Sequence, residues 1–254
     1  MKVFASMSCY ALGWAIGPQM ATQVVTKAIT TKTPDQDNPA NLLGALTIRT
    51  LRDRADVQLR IDTGASHLAK SRSRHFAAAL ESDCDAWVTV DDDVAVDPEA
   101  VATLLACVSI VETPRLVLVP CPLRGDPGRV NVEFTTLHVV NPIALMAIGG
   151  EGTGFLRRAV RGGFGCVAMN RAAMVAVDKA SPRFRDVDGK SKPAAFAEIL
   201  EGADAKGAPG KWHGEDLSFF ERVPESVERW AVVCGLVRHA EFQLELRQLR
   251  GSFL

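Results

Sequence analysis

A chain of 254 residues, 47% hydrophobic and 23% charged, can bury a sizeable core and has the composition of an ordinary globular protein. Its 29 basic and 30 acidic side chains leave a formal charge of -1, which excludes a global field for nucleic acid or membrane but not a local basic groove. The six cysteines, at 9, 84, 107, 121, 166 and 234, include no Cys-x-x-Cys pair, which excludes zinc-ribbon and dithiol motifs and points to reduced core thiols in a cytoplasmic protein.

In chain order, MKVFASMSCYALGWAIG has one lysine and an apolar run broken by Ser6, Ser8, Cys9 and Gly13, which suits a buried first strand over residues 2–7 better than a signal peptide. Met20, Val24, Val25 and Ala28 predict a helix over 17–31, and the polar segment 33–41, with Pro34 and Pro39, reads as a loop. Residues 46–51 are ambiguous, 57–62 form a short strand, and 68–80 form a helix with Leu68, Phe76 and Leu80 on its apolar side. AWVTV, at 86–90, is a buried strand. Asp97 then caps a helix with Pro98 in its first turn and Val101, Leu104, Leu105 and Val108 as its stripe.

Residues 116–119 predict a strand ended by Pro120, 130–140 an antiparallel strand or hairpin, and 166–169 a short strand before a helix from Arg171. Residues 181–211, rich in charge, Gly and Pro, predict a mobile loop with one short helix inside it. No stretch approaches the ~20 apolar residues of a membrane span. Strands alternating with helices, without repeat or linker, predict a single α/β domain over 1–254.

The best chemical signal is Asp91-Asp92-Asp93, directly after the AWVTV strand. Ligands of open α/β sheets gather at the carboxyl ends of strands. Residues i and i+2 of an extended segment share a side, roughly 7 Å apart at ~3.3 Å rise per residue. Asp91 and Asp93 can therefore address one volume, where a hard divalent ion such as Mg²⁺ or Mn²⁺ would relieve their repulsion. An acidic turn capping the next helix is the alternative.

Here the sequence resembles the GT-A glycosyltransferases. Ser71-Arg72-Ser73 stands where that family has an Ala-Arg-Asn-type helix start, with Asn replaced, and Asp91-Asp92-Asp93 stands at its Asp-x-Asp motif. Gly162-Gly163-Phe164-Gly165 is similar to its Gly-x-Gly-Phe element, Gly214-Glu215-Asp216 to its Glu-Asp motif, and His239 sits where many members complete the metal shell. The resemblance implies a GT-A (Rossmann-like) mixed, mostly parallel sheet flanked by helices, with a donor half over 1–120 and an acceptor half over 121–254. It implies a nucleoside-diphosphate sugar donor, an Mn²⁺ or Mg²⁺ cofactor, and transfer to an acceptor hydroxyl with inversion.

By that resemblance Asp93, Asp91 and His239 hold the metal. Ser8, Tyr10, Arg72, Asp91, Asp92, Gly163 and Phe164 bind the donor, Arg72 by meeting the diphosphate or by orienting the triplet. Asp216 serves as general base, with Glu215 assisting. Phage-encoded members that glycosylate hydroxymethylated DNA bases suggest DNA as an acceptor. Arg183, Arg185, Lys190, Lys192, Lys206 and Lys211 either meet its phosphates or belong to a solvated loop. A nucleotidyltransferase and a noncatalytic sugar-nucleotide-binding protein of the same fold are the rival readings.

Overall fold

Alternate burial of strand side chains builds this molecule as a sheet between two helical layers. In the computed structural model, which describes residues 1–9, 23, 26, 27, 29, 43–63, 67–123, 125–136, 140–148, 151–201, 211–239 and 242–250, the first strand is β1 (Lys2–Cys9). Helix α1 (Leu43–Arg52), strand β2 (Asp56–Thr63), helix α2 (Leu68–Glu81) and strand β3 (Ala86–Asp91) follow. A short β4 (Val94–Val96), helix α3 (Pro98–Val108) and β5 (Arg115–Leu118) come next. Strands β6 (Pro122–Leu123), β7 (Asp126–Val130), β8 (Val132–Phe134), β9 (Val140–Ala144), β10 (Thr153–Gly162) and β11 (Cys166–Asn170) lead to helix α4 (Arg171–Ala180). Then come β12 (Arg183–Arg185), β13 (Ser191–Pro193), β14 (Ile199–Glu201), β15 (Lys211–His213), helix α5 (Glu215–Arg222), β16 (Glu228–Val232), β17 (Leu236–His239) and β18 (Phe242–Glu245), followed by a 3-10 turn at Leu246–Arg250.

A nine-stranded sheet runs β2-β1-β3-β11-β5-β16-β10-β8, with β9 also on β10. Most of its strands point one way: β1 pairs in parallel with β2 and β3, and β16 with β5, while β11, between β3 and β5, and β10, beside β16, run backwards. Along β3, Ala86, Val88 and Val90 enter one core with Ile48 and Leu51 of α1 and Leu104 and Leu105 of α3. Trp87 points the other way, into a core with Phe76 of α2, Met174 of α4 and Phe219 of α5. That period-2 division makes the sheet two-sided. Among the described residues, no helix is long and apolar enough to cross a membrane.

The strand at 86–90 and the Asp97 cap are as expected; the Asp97 carboxylate accepts from the Ala100 N–H at 2.9 Å. Of the helix expected over 17–31, the described Gln23, Thr26, Lys27 and Ile29 are helical; the loop at 33–41 and Tyr10 lie outside the described residues. The ambiguous 46–51 belongs to α1, which buries Gly44, Ala45, Thr47, Ile48 and Leu51 at helical spacing.

Residues 181–211 depart from expectation. Their described part holds a β12–β13 hairpin and strand β14, and no helix. Asp186 closes the hairpin onto α2: its carboxylate, only 4% exposed, accepts from Nε and Nη2 of Arg74 and from Lys192 Nζ at 2.8 Å. These internal ion pairs are the physical reason that so polar a segment is structured.

Candidate functional site

The site lies where β1 and β3 end and β11 begins. Asp91 closes β3, and its N–H donates to the Gly165 carbonyl at 2.9 Å, tying the triplet to the glycine-rich turn ahead of β11. Asp92 is fixed through its backbone: its carbonyl accepts from Gly44 N–H at 2.9 Å, in the first turn of α1. A Cβ on Gly44 would lie 2.5 Å from the Asp91 carbonyl and 2.8 Å from Met7 Sδ, so only glycine permits this approach. One turn along, the Thr47 hydroxyl accepts from Val96 N–H and donates to the Val94 carbonyl, clasping the strand that follows the triplet.

Arg72 joins the expected residues. It is on α2, its side chain 3% exposed. Nη2 donates to both Asp91 oxygens at 2.9 and 3.0 Å, while Nη1 donates to Asp216 Oδ1 at 2.5 Å and Glu215 Oε1 at 3.2 Å. A planar fork suits such divided recognition, which lysine could not reproduce. These contacts join Asp91 of the triplet to the acidic pair of α5.

Glu215 and Asp216 open α5 behind Gly214, where acids favour the helix N-terminus. The second Asp216 oxygen accepts from the Phe164 N–H at 3.2 Å. The Phe164 ring is buried, 4.7 Å from both Phe196 and Phe219, so this residue offers the site its backbone and supports it with its ring. Gly163 packs against Asn131, whose Nδ2 would be 2.5 Å from an added Cβ, and donates its N–H to the Asn131 carbonyl.

Electrostatics separate the acids. Burial pushes the Asp216 carboxyl up to about 6; Arg72 opposes this, while Glu215 and Asp91 add to it. Burial also raises Asp91, with Arg72 pulling it back in part. Burial works against the Arg72 charge, but the surrounding carboxylates more than offset it and hold the guanidinium above its ordinary value.

Asp93 and His239 meet on the other side of the triplet, with Nε2 3.4 Å from Asp93 Oδ2. His239 Nδ1 is 2.7 Å from the Pro122 carbonyl. A carbonyl only accepts, so in the neutral ring Nδ1 carries the proton and Nε2 keeps its lone pair. That is the tautomer and backbone support of a metal-ligating histidine. Carboxylate oxygen with imidazole nitrogen suits Mn²⁺. Both oxygens of Asp91 are engaged by Arg72, and among the described residues no three His, Cys, Asp or Glu side chains gather as a metal-binding group. Asp93 and His239 could hold an ion whose shell is completed by phosphate and water.

Ser8 pairs in register with Asp91 on one side and Asp62 on the other, and its buried hydroxyl has no hydrogen-bond partner among the described residues. Gly44, Thr47 and Asn131 were not expected from the sequence; Gly44 alone carried a legible hint, a glycine at a helix start. The basic residues read either as phosphate contacts or as a solvated loop divide. Arg183 pairs with Asp178, Lys192 with Asp186 and Asp188, Arg185 is exposed, and Lys190 turns back on Asp188 through its N–H. Lys211 lies in β15 and Lys206 lies outside the described residues. Beside Asp216, between the β7–β8 strip and the end of β10, opens a cleft of about 560 Å³.

No protein-family model matches the chain, and no curated protein matches it. Among solved structures it is similar to one described as the crystal structure of A197 from STIV, at 13% identity and a TM-score of 0.47, covering 94% of this chain and 85% of that one.

Proposed function

We propose that this protein transfers a sugar from a nucleoside-diphosphate donor to an acceptor hydroxyl, with a divalent metal, in the manner of GT-A glycosyltransferases. The observation that carries the reading is Arg72: one buried guanidinium links the carboxylate ending β3, 19 residues away in sequence, to Asp216 of the acidic pair opening α5, 144 residues away. That arrangement ties a donor-binding strand end to a base-bearing helix.

Asp93 and His239 would hold Mn²⁺ or Mg²⁺, whose chemistry is to neutralise charge developing on the leaving diphosphate. Ser8 offers a buried hydroxyl to the donor from the end of β1. Asp216 takes the acceptor's proton: a carboxyl at about 6 is ionised at neutral pH yet more basic than an ordinary carboxylate. Arg72 and the Phe164 N–H hold it in place. With no covalent intermediate, a base so used implies inversion at the anomeric carbon.

Calorimetry with UDP and GDP, with Mn²⁺ or with EDTA, tests the first half. Metal-dependent binding should weaken about 10–100-fold in Asp93→Ala and His239→Ala. Asp216→Asn should retain nucleotide binding and lower transfer by about 10²–10⁴-fold. Metal-independent binding, or none, would overturn the reading, and release of pyrophosphate in place of the nucleoside diphosphate would favour nucleotidyl transfer.

A further inference from the structure

The cleft beside Asp216 carries the identification further, resting on the transfer reading above. Asp216 and Leu217 line one side of it, and Arg129, Glu133 and Arg161 supply its charged groups elsewhere. Glu133 and Arg161 stand opposite each other in the β8–β10 register, with Arg161 Nε 2.7 Å from Glu133 Oε2. That bond uses one guanidinium donor and one carboxylate oxygen. Nη1, Nη2 and Oε1 are not part of it, and the side chains are 40% and 52% exposed. Donors and an acceptor so placed side by side match adjacent hydroxyl groups, each of which both donates and accepts.

Charge and size narrow the class. Arg161 is bonded to Glu133 and Arg129 lies 4.0 Å from Asp126, so the cleft has no cationic surplus with which to hold a phosphodiester backbone. In the β12–β13 hairpin, Lys192 is paired with Asp186 and Asp188, and Arg183 with Asp178 of α4. The volume is that of a small-ligand site, and half-exposed Leu217 gives it an apolar patch for the C–H face of a ring.

We propose that the acceptor is an uncharged polyhydroxyl small molecule, a saccharide or glycoside, gripped by the Glu133–Arg161 pair with one hydroxyl against Asp216. In the transfer, the acceptor oxygen bonds to the anomeric carbon as the bond from that carbon to the phosphate oxygen breaks. The hydroxyl proton passes to Asp216, and the bonding electron pair leaves with the nucleoside diphosphate.

Ligand-observed NMR on the full chain, with methyl glycosides of the common hexoses and their disaccharides beside a short DNA duplex, tests this assignment. At least one glycoside should bind with millimolar affinity, weakened about tenfold or more by Glu133→Gln and by Arg161→Met, two rim substitutions whose folding is checked by circular dichroism. Lys2→Ser, at the far end of β1, should change nothing. Binding of no glycoside, binding untouched by both variants, or tighter binding of the duplex overturns the proposal. Nucleotide binding without glycoside binding overturns the acceptor class alone. Glycoside binding without nucleotide binding leaves the saccharide site standing and removes the transfer reading.

Discussion

Replacing Arg72 with methionine keeps much of the side-chain volume and removes the charge that three carboxylates share. The guanidinium makes four hydrogen bonds to Asp91, Glu215 and Asp216. Breaking a buried ionic network from one side costs about 3–5 kcal/mol. The three carboxylates are 26%, 24% and 31% exposed, so water recovers part of that and the lower end, about 3 kcal/mol, is expected. At about 2–4 °C per kcal/mol for a domain of this size, Tm should fall by about 6–12 °C.

The loss should also depend on pH, in a direction fixed by linkage. Asp216 sits at about 6 in the fold, above the ordinary aspartate value of about 4. The folded chain therefore holds that proton more tightly than the unfolded one. The stability it contributes is full below about pH 4 and is lost as pH rises through about 6. Without Arg72, whose attraction lowers both Asp91 and Asp216, the folded values climb further and the loss extends to higher pH. Urea denaturation of R72M and the parent at pH 5 and pH 8 should show a small gap at the first and a large one at the second. An equal gap at both would mean that Arg72 acts by filling space, and the electrostatic reasoning would fall.

Other outcomes follow from the same geometry. Transfer by the parent protein should decline as pH falls through about 6, as Asp216 takes up its proton; a pH–rate profile that stays flat to pH 5 would exclude it as base. Gly44→Ala places a Cβ 2.5 Å from a backbone carbonyl that cannot rotate away, so it should cost about 1–3 kcal/mol in denaturant unfolding and weaken Mn²⁺-dependent nucleotide binding by displacing the triplet. Hydrogen bonds from Arg74 and Lys192 hold the Asp186 carboxyl far below the usual range, so its contribution is present above about pH 4 and fades as acid protonates the unfolded chain. Asp186→Asn should therefore lower stability by about 3 kcal/mol at pH 7 and by less at pH 3, measured by urea unfolding.

How much of this was readable before folding depends on the range of the interaction. Strand β3 announces itself because Trp87, Val88, Thr89 and Val90, four consecutive buried residues of β-forming type, need no partner to be recognised. The Asp97 cap is equally local, a carboxylate three residues before its donor. The Arg72 bridge is not readable in that way: its acids are 19, 143 and 144 residues away, and family likeness marks the residue and the triplet beside it but not the link to Glu215 and Asp216. Helix α1 was obscured because Thr47, Ile48 and Thr50 have β-forming side chains, and tertiary burial of one face overrides that preference. The β12–β13 hairpin is hidden in the sequence because its charges resemble surface charges; its strands are three residues long, and Asp186 is buried only by virtue of Arg74 on another element.

The backward strand β11 decides which parts of the chain can vary together. Because Cys166 lies beside Val90 at the end of β3, the turn that precedes β11 opens on the same rim as the triplet. A uniformly wound sheet would have sent it to the opposite rim. Residues inserted ahead of β11 would thus alter what the protein touches. Residues added where Asn170 caps α4, and where its amide nitrogen bonds the Ile110 and Thr113 carbonyls, would strike only the scaffold.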